Sequence, residues 1–247
     1  MINNITIVII ASNAQKTIKN SLDTIKDFKE VILYENNSTD DTVKIAKSFP
    51  NVKIIDGEFI GFGETKNSAI SFSSNDWVLS LDSDEMLTSD LIKELNSLNL
   101  DNEKKVFELK RDNYFLYKKI KYSGWGKDYL VRLFNRKYHS FNDNKVHEFV
   151  ELKDDTDKIK LKNSFKHNAV QDINQFLYKI AKYSDLASKD EKTCSFIVVL
   201  LKAKFAFIKT YFLQLGFLDG WRGLFIAISN FNGKFFRYTK RYINCKV

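Results

Sequence analysis

Apolar and polar positions alternate in two rhythms along the first third of the chain. Ile5–Ile10 is a short, β-branched apolar run and predicts a buried strand. Ala11-Ser12-Asn13 breaks it, and Ile18, Leu22 and Ile25 then recur at helical spacing. Val31–Tyr34, Val52–Ile55 and Trp77–Leu81 predict three further strands. A polar loop from Glu35 leads to a helix carrying Val43, Ile45 and Ala46, and Gly61-Phe62-Gly63 is a turn before a helix over Glu64–Phe72. Strand and helix alternate four times, which predicts βαβ units and an α/β fold with a mainly parallel sheet flanked by helices.

The pattern changes after Asp84. Ser89–Leu98 predicts a helix with its cap at Thr88-Ser89-Asp90. Val106–Leu109, Tyr114–Tyr117, Tyr129–Phe134 and Lys158–Leu161 predict more polar strands, antiparallel or mixed additions to the sheet. Asn174–Ala187 predicts a helix, and from Ser195 onward the chain predicts helices broken at Gly216, Gly220, Gly223 and Gly233. The expected division is a sheet domain over 1–190 and a helical extension over 191–247.

Charge sharpens that division. The net charge is +8 over 247 residues. From Ser195 onward there are nine bases and one acid, Asp219, whereas the first 194 residues hold 30 of each. The whole excess therefore sits in the last stretch, which calls for a different partner from the body. Two cysteines, Cys194 and Cys245, are too few for a disulfide framework and predict a reducing compartment. Met1–Ala11 lacks the pattern of a signal peptide. No apolar run approaches the ~20 residues of a membrane span, and Phe196–Leu201 stops at Lys202.

The candidate chemistry begins where the fourth strand ends. Asp82-Ser83-Asp84-Glu85 places three acids in four residues at the carboxyl end of a buried strand. α/β sheets keep their ligands at such ends. Asp82 and Asp84 suit a hard divalent cation, Mg²⁺ or Mn²⁺, bridging the phosphates of a nucleotide. Lys66 opens a helix after a glycine turn and can meet a phosphate or the acidic cluster. Arg132 and Arg136 flank a strand and can clamp a diphosphate or an acidic acceptor. His139, His147 and His167 lack zinc-motif spacing, and neither a Walker-type loop nor a dinucleotide glycine fingerprint is present.

Four ordered stretches carry a resemblance. They are Ile5–Ile10, Glu35-Asn36-Asn37-Ser38-Thr39-Asp40-Asp41-Thr42, Gly61-Phe62-Gly63-Glu64-Thr65-Lys66-Asn67 and Asp76–Glu85. In that order they resemble the motifs of family 2 glycosyltransferases of the GT-A, Rossmann-like fold. Ser123–Tyr129, Arg132–Arg136, Val146-His147-Glu148 and Gly216–Gly220 are similar to the branch that glucosylates the lipopolysaccharide inner core, a β-1,4-glucosyltransferase-like branch.

The resemblance implies a UDP-sugar donor and a lipid-linked core oligosaccharide acceptor. It implies a donor pocket of Ala11, Asn13, Glu35, Asn37, Asp40, Lys66, Asp82, Ser83, Arg132 and Arg136, with metal on Asp82 and Asp84. Glu35 stands where Asp is usual, and Ala14 replaces an acid. Inverting sugar transfer needs a carboxylate to deprotonate the acceptor. Glu148 falls where the family carries its catalytic acid, Asp128 is the rival, and His147 can orient the base, bind a phosphate or complete the metal site. The alternatives are a transferase for another surface glycan, capsule or protein, and a nucleotide-sugar-binding protein without turnover.

The aromatic and basic tail suits helices lying on an anionic bilayer. The expected location is therefore cytoplasmic, peripheral on the inner face of the cytoplasmic membrane. Basic plus aromatic composition also permits nucleic-acid binding, but nothing matches a nucleic-acid module and no such partner is expected.

Overall fold

β1 (Ile2–Ala11) is apolar on both faces and takes an inner place in a sheet. Its odd-numbered residues Ile5, Ile7 and Ile9 join one core cluster with Ile18, Leu22, Leu91 and Leu95. Val8 points the other way, among Ile32, Ala69, Ile70 and Val78. Side chains alternate across a strand, so a sheet covered on both faces needs such uninterrupted apolar runs.

The computed structural model describes residues 1–144, 148–188 and 195–246. After β1 come α1 (Ile18–Asp23), β2 (Phe28–Glu35), α2 (Thr42–Ala46), β3 (Val52–Asp56), α3 (Phe62–Ser71) and β4 (Trp77–Asp82). Then follow β5 (Glu85–Leu87), α4 (Ser89–Asn96), β6 (Lys105–Phe115), β7 (Lys118–Lys119), β8 (Asp128–Asn135) and β9 (Asp157–Val170). The chain ends with α5 (Ile173–Leu186), α6 (Phe196–Ile208), a π turn at Lys209–Leu213, a 3-10 turn at Gly216–Asp219 and α7 (Trp221–Lys246).

One sheet runs in the order β3-β2-β1-β4-β8-β6-β9-β5, with β7 on β6. β1 pairs in parallel with β2 and β4, and β2 with β3. β8 joins β4 antiparallel, and β5 joins β9 antiparallel. The fold is thus α/β, with a mostly parallel sheet flanked by helices and a helical C-terminal part. Thr88 caps α4 as its sequence predicts, accepting from Leu91 N at 3.3 Å.

Some predicted elements differ. The two strands expected at Val106–Leu109 and Tyr114–Tyr117 are one strand, β6. It ends where Leu116 and Tyr117 turn with positive φ. Gly223 and Gly233 lie within α7 and do not break it. Gly223 is needed for close approach instead: a Cβ there would lie 1.8 Å from the Gly216 carbonyl oxygen. On α5, Phe176, Leu177, Ile180, Tyr183 and Leu186 fall on one side by spacing, yet Leu177 and Tyr183 are exposed, so the packed side is narrower than that spacing suggests. Cys245 is disulfide-bonded, which corrects the expectation of reduced thiols; Cys194 lies outside the described residues.

The chain gathers into two compact units. The first comprises Met1–Arg111 and Tyr129–His167, the second Asp112–Asp128 and Asn168–Val247. This division differs from a boundary at 190 by grouping α5 and residues 112–128 with the C-terminal helices. The second unit has its own core of Phe115, Ile120, Val170 and Ile226, with Trp125, Phe176 and Phe225 against it. Phe115 meets Phe225 at 5.5 Å and Trp221 at 5.9 Å between ring centroids. Asp219, the lone acid of the tail, accepts from Lys121 N and Tyr122 N at 3.0 Å and from Ser123 Oγ at 2.8 Å.

Candidate active site

The strand order reverses about β1, whose two parallel neighbours, β2 and β4, belong to different crossovers. The crevice outside the carboxyl ends of such strands is where open α/β sheets bind ligands. Register brings three candidates together there: Ala11 pairs with Glu35, and Ile10 with Asp82.

The loops after β1 and β2 are laced by side chains. Asn13, at φ 51°, accepts through Oδ1 from Thr39 N at 2.9 Å, and its own N–H donates to Ser38 Oγ at 3.0 Å. Asp40 accepts from Gln15 N at 3.1 Å and Thr42 N at 3.0 Å. Desolvation opposes the Asp40 charge, but these bonds hold its carboxyl below the ordinary value. Ala11 O accepts from Asn36 N at 2.9 Å, and Asn37 turns the loop at φ 52°. Glu35 is buried and its carboxylate accepts from Ser38 N, so it caps its own loop. The family resemblance implies a place for Glu35 in the donor pocket; locally the residue shapes that wall.

Charge concentrates beyond β4. Gly61, at φ 130°, precedes α3, and a Cβ on Gly63 would sit 1.7 Å from the Asn142 carbonyl oxygen. That close approach brings Lys66 under the segment that carries Glu148. The Lys66 side chain is only 2% exposed, and Nζ lies 3.0 Å from Asp82 Oδ1 and 2.7 Å from Glu148 Oε1. Its ammonium also stands 5.3 Å from the Phe141 ring centroid. Arg132, on β8, donates to Asp82 Oδ2 and to Glu85 Oε1, each at 2.8 Å. Arg111 reaches the same Glu85 oxygen at 3.4 Å, and Glu85 Oε2 accepts from Asp82 N at 2.9 Å. The result is a ladder of alternating sign: Glu148, Lys66, Asp82, Arg132, Glu85, Arg111.

Burial alone would raise the Asp82 carboxyl, but Arg132 and Lys66 outweigh it and hold the group well below the usual range. Burial pushes Glu85 up, against the pull of Arg132. Arg132 loses solvation but is held above its ordinary value by Asp82 and Glu85.

Asp84 does not share this ladder. Its Oδ2 lies 3.6 Å from His167 Nε2, and the two side chains are 27% and 18% exposed. The antiparallel register of β5 on β9 pairs Glu85 with His167 and so brings the histidine to the acidic turn. Among the described residues no group of three His, Cys, Asp or Glu side chains is arranged to hold a metal. Both Asp82 oxygens face cations, Lys66 at 3.0 Å and Arg132 at 2.8 Å. Ser83 contributes its carbonyl to Ser21 Oγ at 2.9 Å, a loop tie.

One expected partner is elsewhere. Arg136 donates through Nε to Asn75 O at 2.9 Å, and its neighbour Asn135 pairs with Trp77, at the start of β4. Five strand steps from Trp77 to Asp82 are roughly 16 Å, so Arg136 is not a second clamp beside Arg132. Asp128 belongs to the second unit, where Asn113 Nδ2 donates to its carboxylate at 2.9 Å. His147 lies outside the described residues. Glu85, Arg111 and His167 are the residues that sequence reasoning missed. Glu85 had a signal, an acid beside D-x-D with an apolar Met86-Leu87 after it, whereas His167 had none before strand pairing was known.

Comparison with known proteins gives this geometry a family. Residues 6–159 match the model of glycosyl transferase family 2. An uncharacterised glycosyltransferase of Rickettsia typhi is 30% identical over 254 residues, covering 94% of this chain and 84% of that protein. Among solved structures, S. aureus TarS 1-349 in complex with UDP-GlcNAc overlaps 94% of this chain and 81% of its own at 13% identity and TM-score 0.48. Glucosyl-3-phosphoglycerate synthase from Mycobacterium tuberculosis with Mn²⁺, UDP and glucosyl-3-phosphoglycerate overlaps 45% and 44% at 24% identity and TM-score 0.37. By the family model and the full-length relative, the chain belongs to glycosyl transferase family 2.

Proposed function

We propose that the chain is an inverting transferase that moves a hexose, glucose by its motifs, from a UDP-sugar to a lipid-linked lipopolysaccharide or lipooligosaccharide core. One observation carries the reading: a buried lysine bridges the strand-end aspartate and a carboxylate from a distant segment, at the sheet's switch point. In this reading the cation between two carboxylates is where an incoming anion takes a carboxylate's place. The donor diphosphate competes with Asp82 and Glu148 for Lys66 and Arg132, and forked Arg132 suits two phosphate oxygens.

Glu148 then acts as the base. Its carboxylate lies 2.7 Å from Lys66 Nζ, on the edge of the ladder nearest the acceptor side of this reading. Once the diphosphate takes the lysine, Glu148 accepts the proton of the acceptor hydroxyl. That oxygen bonds to the anomeric carbon from the face opposite UDP, the bond to the diphosphate breaks, and UDP leaves with the electron pair. Asp128 is the rival base.

Asp82 and Asp84 would hold a divalent cation, Mg²⁺ or Mn²⁺, their carboxylate oxygens suiting a hard ion, with His167 3.6 Å from Asp84 beside them. Such an ion, when bound, would neutralise charge on the leaving diphosphate. This reading puts the reaction at the cytoplasmic side of the inner membrane, where both donor and lipid-linked acceptor would be at hand.

A thermal-shift panel of nucleotide sugars, with and without Mn²⁺, tests the reading. One UDP-sugar is expected to raise the melting temperature by several degrees, more with the metal, and the metal increment is expected to vanish in Asp84→Asn. A panel in which no nucleotide sugar stabilises the protein overturns it.

A further inference from the structure

α6 has one settled side and one unclaimed side. Val199 and Ala203 are buried. On the opposite side Ile197, Leu201 and Phe205 follow at four-residue spacing and are 69%, 60% and 58% exposed. Phe212 and Leu213 in the following π turn are 54% and 68% exposed. By helical geometry Lys204 borders the stripe on one edge and Lys202 and Lys209 on the other, and all three are exposed. Exposed apolar patches on this scale mark interaction surfaces.

We propose that this face of α6 and the π turn is a membrane seat: the apolar stripe enters the headgroup boundary of an anionic bilayer, and the flanking lysines snorkel to its phosphates. The choice of occupant rests on charge. From Ser195 onward the chain has nine bases and one acid. That acid, Asp219, is engaged with residues 121–123. A second copy of the chain would bring the same positive charge to the interface, so self-association is opposed. An anionic bilayer supplies both the apolar interior and the counter-charge. Among the described residues no helix is long and apolar enough to cross a membrane, which fits a surface-lying mode. The inference deepens the proposed reading, since a lipid-linked acceptor presents its sugar at such a surface, but its geometry is independent of the sugar chemistry.

Co-sedimentation of the full chain with phosphatidylcholine vesicles, with and without phosphatidylglycerol, tests it. Each basic group near an anionic surface strengthens binding by roughly fivefold, so the wild type is expected to bind only the anionic vesicles strongly, and less so at high salt. Leu201→Glu/Phe205→Glu and, separately, Lys202→Glu/Lys204→Glu/Lys209→Glu are each expected to lose at least about tenfold in vesicle affinity. Their circular dichroism melts and UDP-sugar thermal shifts are expected to match the wild type, which separates this claim from the donor-site reading. Wild-type protein that ignores anionic vesicles at low salt overturns the proposal. So does undiminished binding by Leu201→Glu/Phe205→Glu, or a wild-type dimer that this variant dissociates.

Discussion

The two units treat charge in opposite ways. In the first, charges are brought inside and matched: Lys66, Arg132 and Glu85 are nearly or fully buried, each against an opposite charge. In the second, the stretch from Ser195 onward holds a single acid, Lys202, Lys204 and Lys209 face solvent, and large apolar side chains stay exposed beside them. Buried ion ladders are costly to assemble and gain their value from geometry, which points to a site that must present charge at fixed places. Exposed cations cost little and contribute little to folding, which points to a surface whose charge is meant for a partner. The difference teaches where substitution will be felt as lost fold, lost chemistry or lost docking.

The contrast breaks most visibly at Arg132. Arg132→Met leaves Glu85 buried without its nearest cation and is expected to lower the unfolding free energy by about 3–5 kcal/mol, read by urea denaturation. Next is Lys66→Met, which removes the cation that donor phosphate shares with Asp82 and Glu148. UDP-sugar affinity by calorimetry is expected to fall by roughly thirtyfold or more, as for other truncated buried charge partners. An unchanged affinity would detach Lys66 from the donor.

Acid titration sharpens the same contrast. The Asp82 carboxyl is held well below the ordinary aspartate value of 3.8, so the folded state binds its proton more weakly than the unfolded chain does. Its stabilising contribution is therefore complete above about pH 3.8 and is lost as pH falls below that, through the depressed folded value. Asp82→Asn is expected to flatten that acid limb of the stability curve. The smallest effect belongs to the second unit. Lys204→Ala should shift stability by less than about 0.5 kcal/mol, while weakening vesicle binding.

How much of this was legible in the chain depended on which physical signal each part carries. β1 to β4 were readable because a sheet covered on both faces demands unbroken apolar runs. β6 was read as two strands because Lys110-Arg111-Asp112-Asn113 interrupts its apolar pattern, though Arg111 is placed there to meet Glu85. β5 was hidden in an acidic turn, and with it the pairing that delivers His167 to Asp84. Lys66, Asp82, Arg132 and Glu148 were legible as charged residues in suggestive places. Their order in the ladder was not, because it depends on Gly63 admitting the 142–144 backbone and on β8 joining β4 antiparallel. Arg136 shows the limit of spacing: four residues beyond Arg132 on an extended strand lead to the far end of the sheet.

The most direct test of the account compares UDP-sugar binding with sugar transfer in the wild type and in Glu148→Gln, side by side. A general base contributes roughly 10²–10⁴-fold, so turnover is expected to fall at least a hundredfold while donor affinity stays within a few fold. A Glu148→Gln protein that transfers sugar at near wild-type rates would contradict the assignment and pass the role to Asp128.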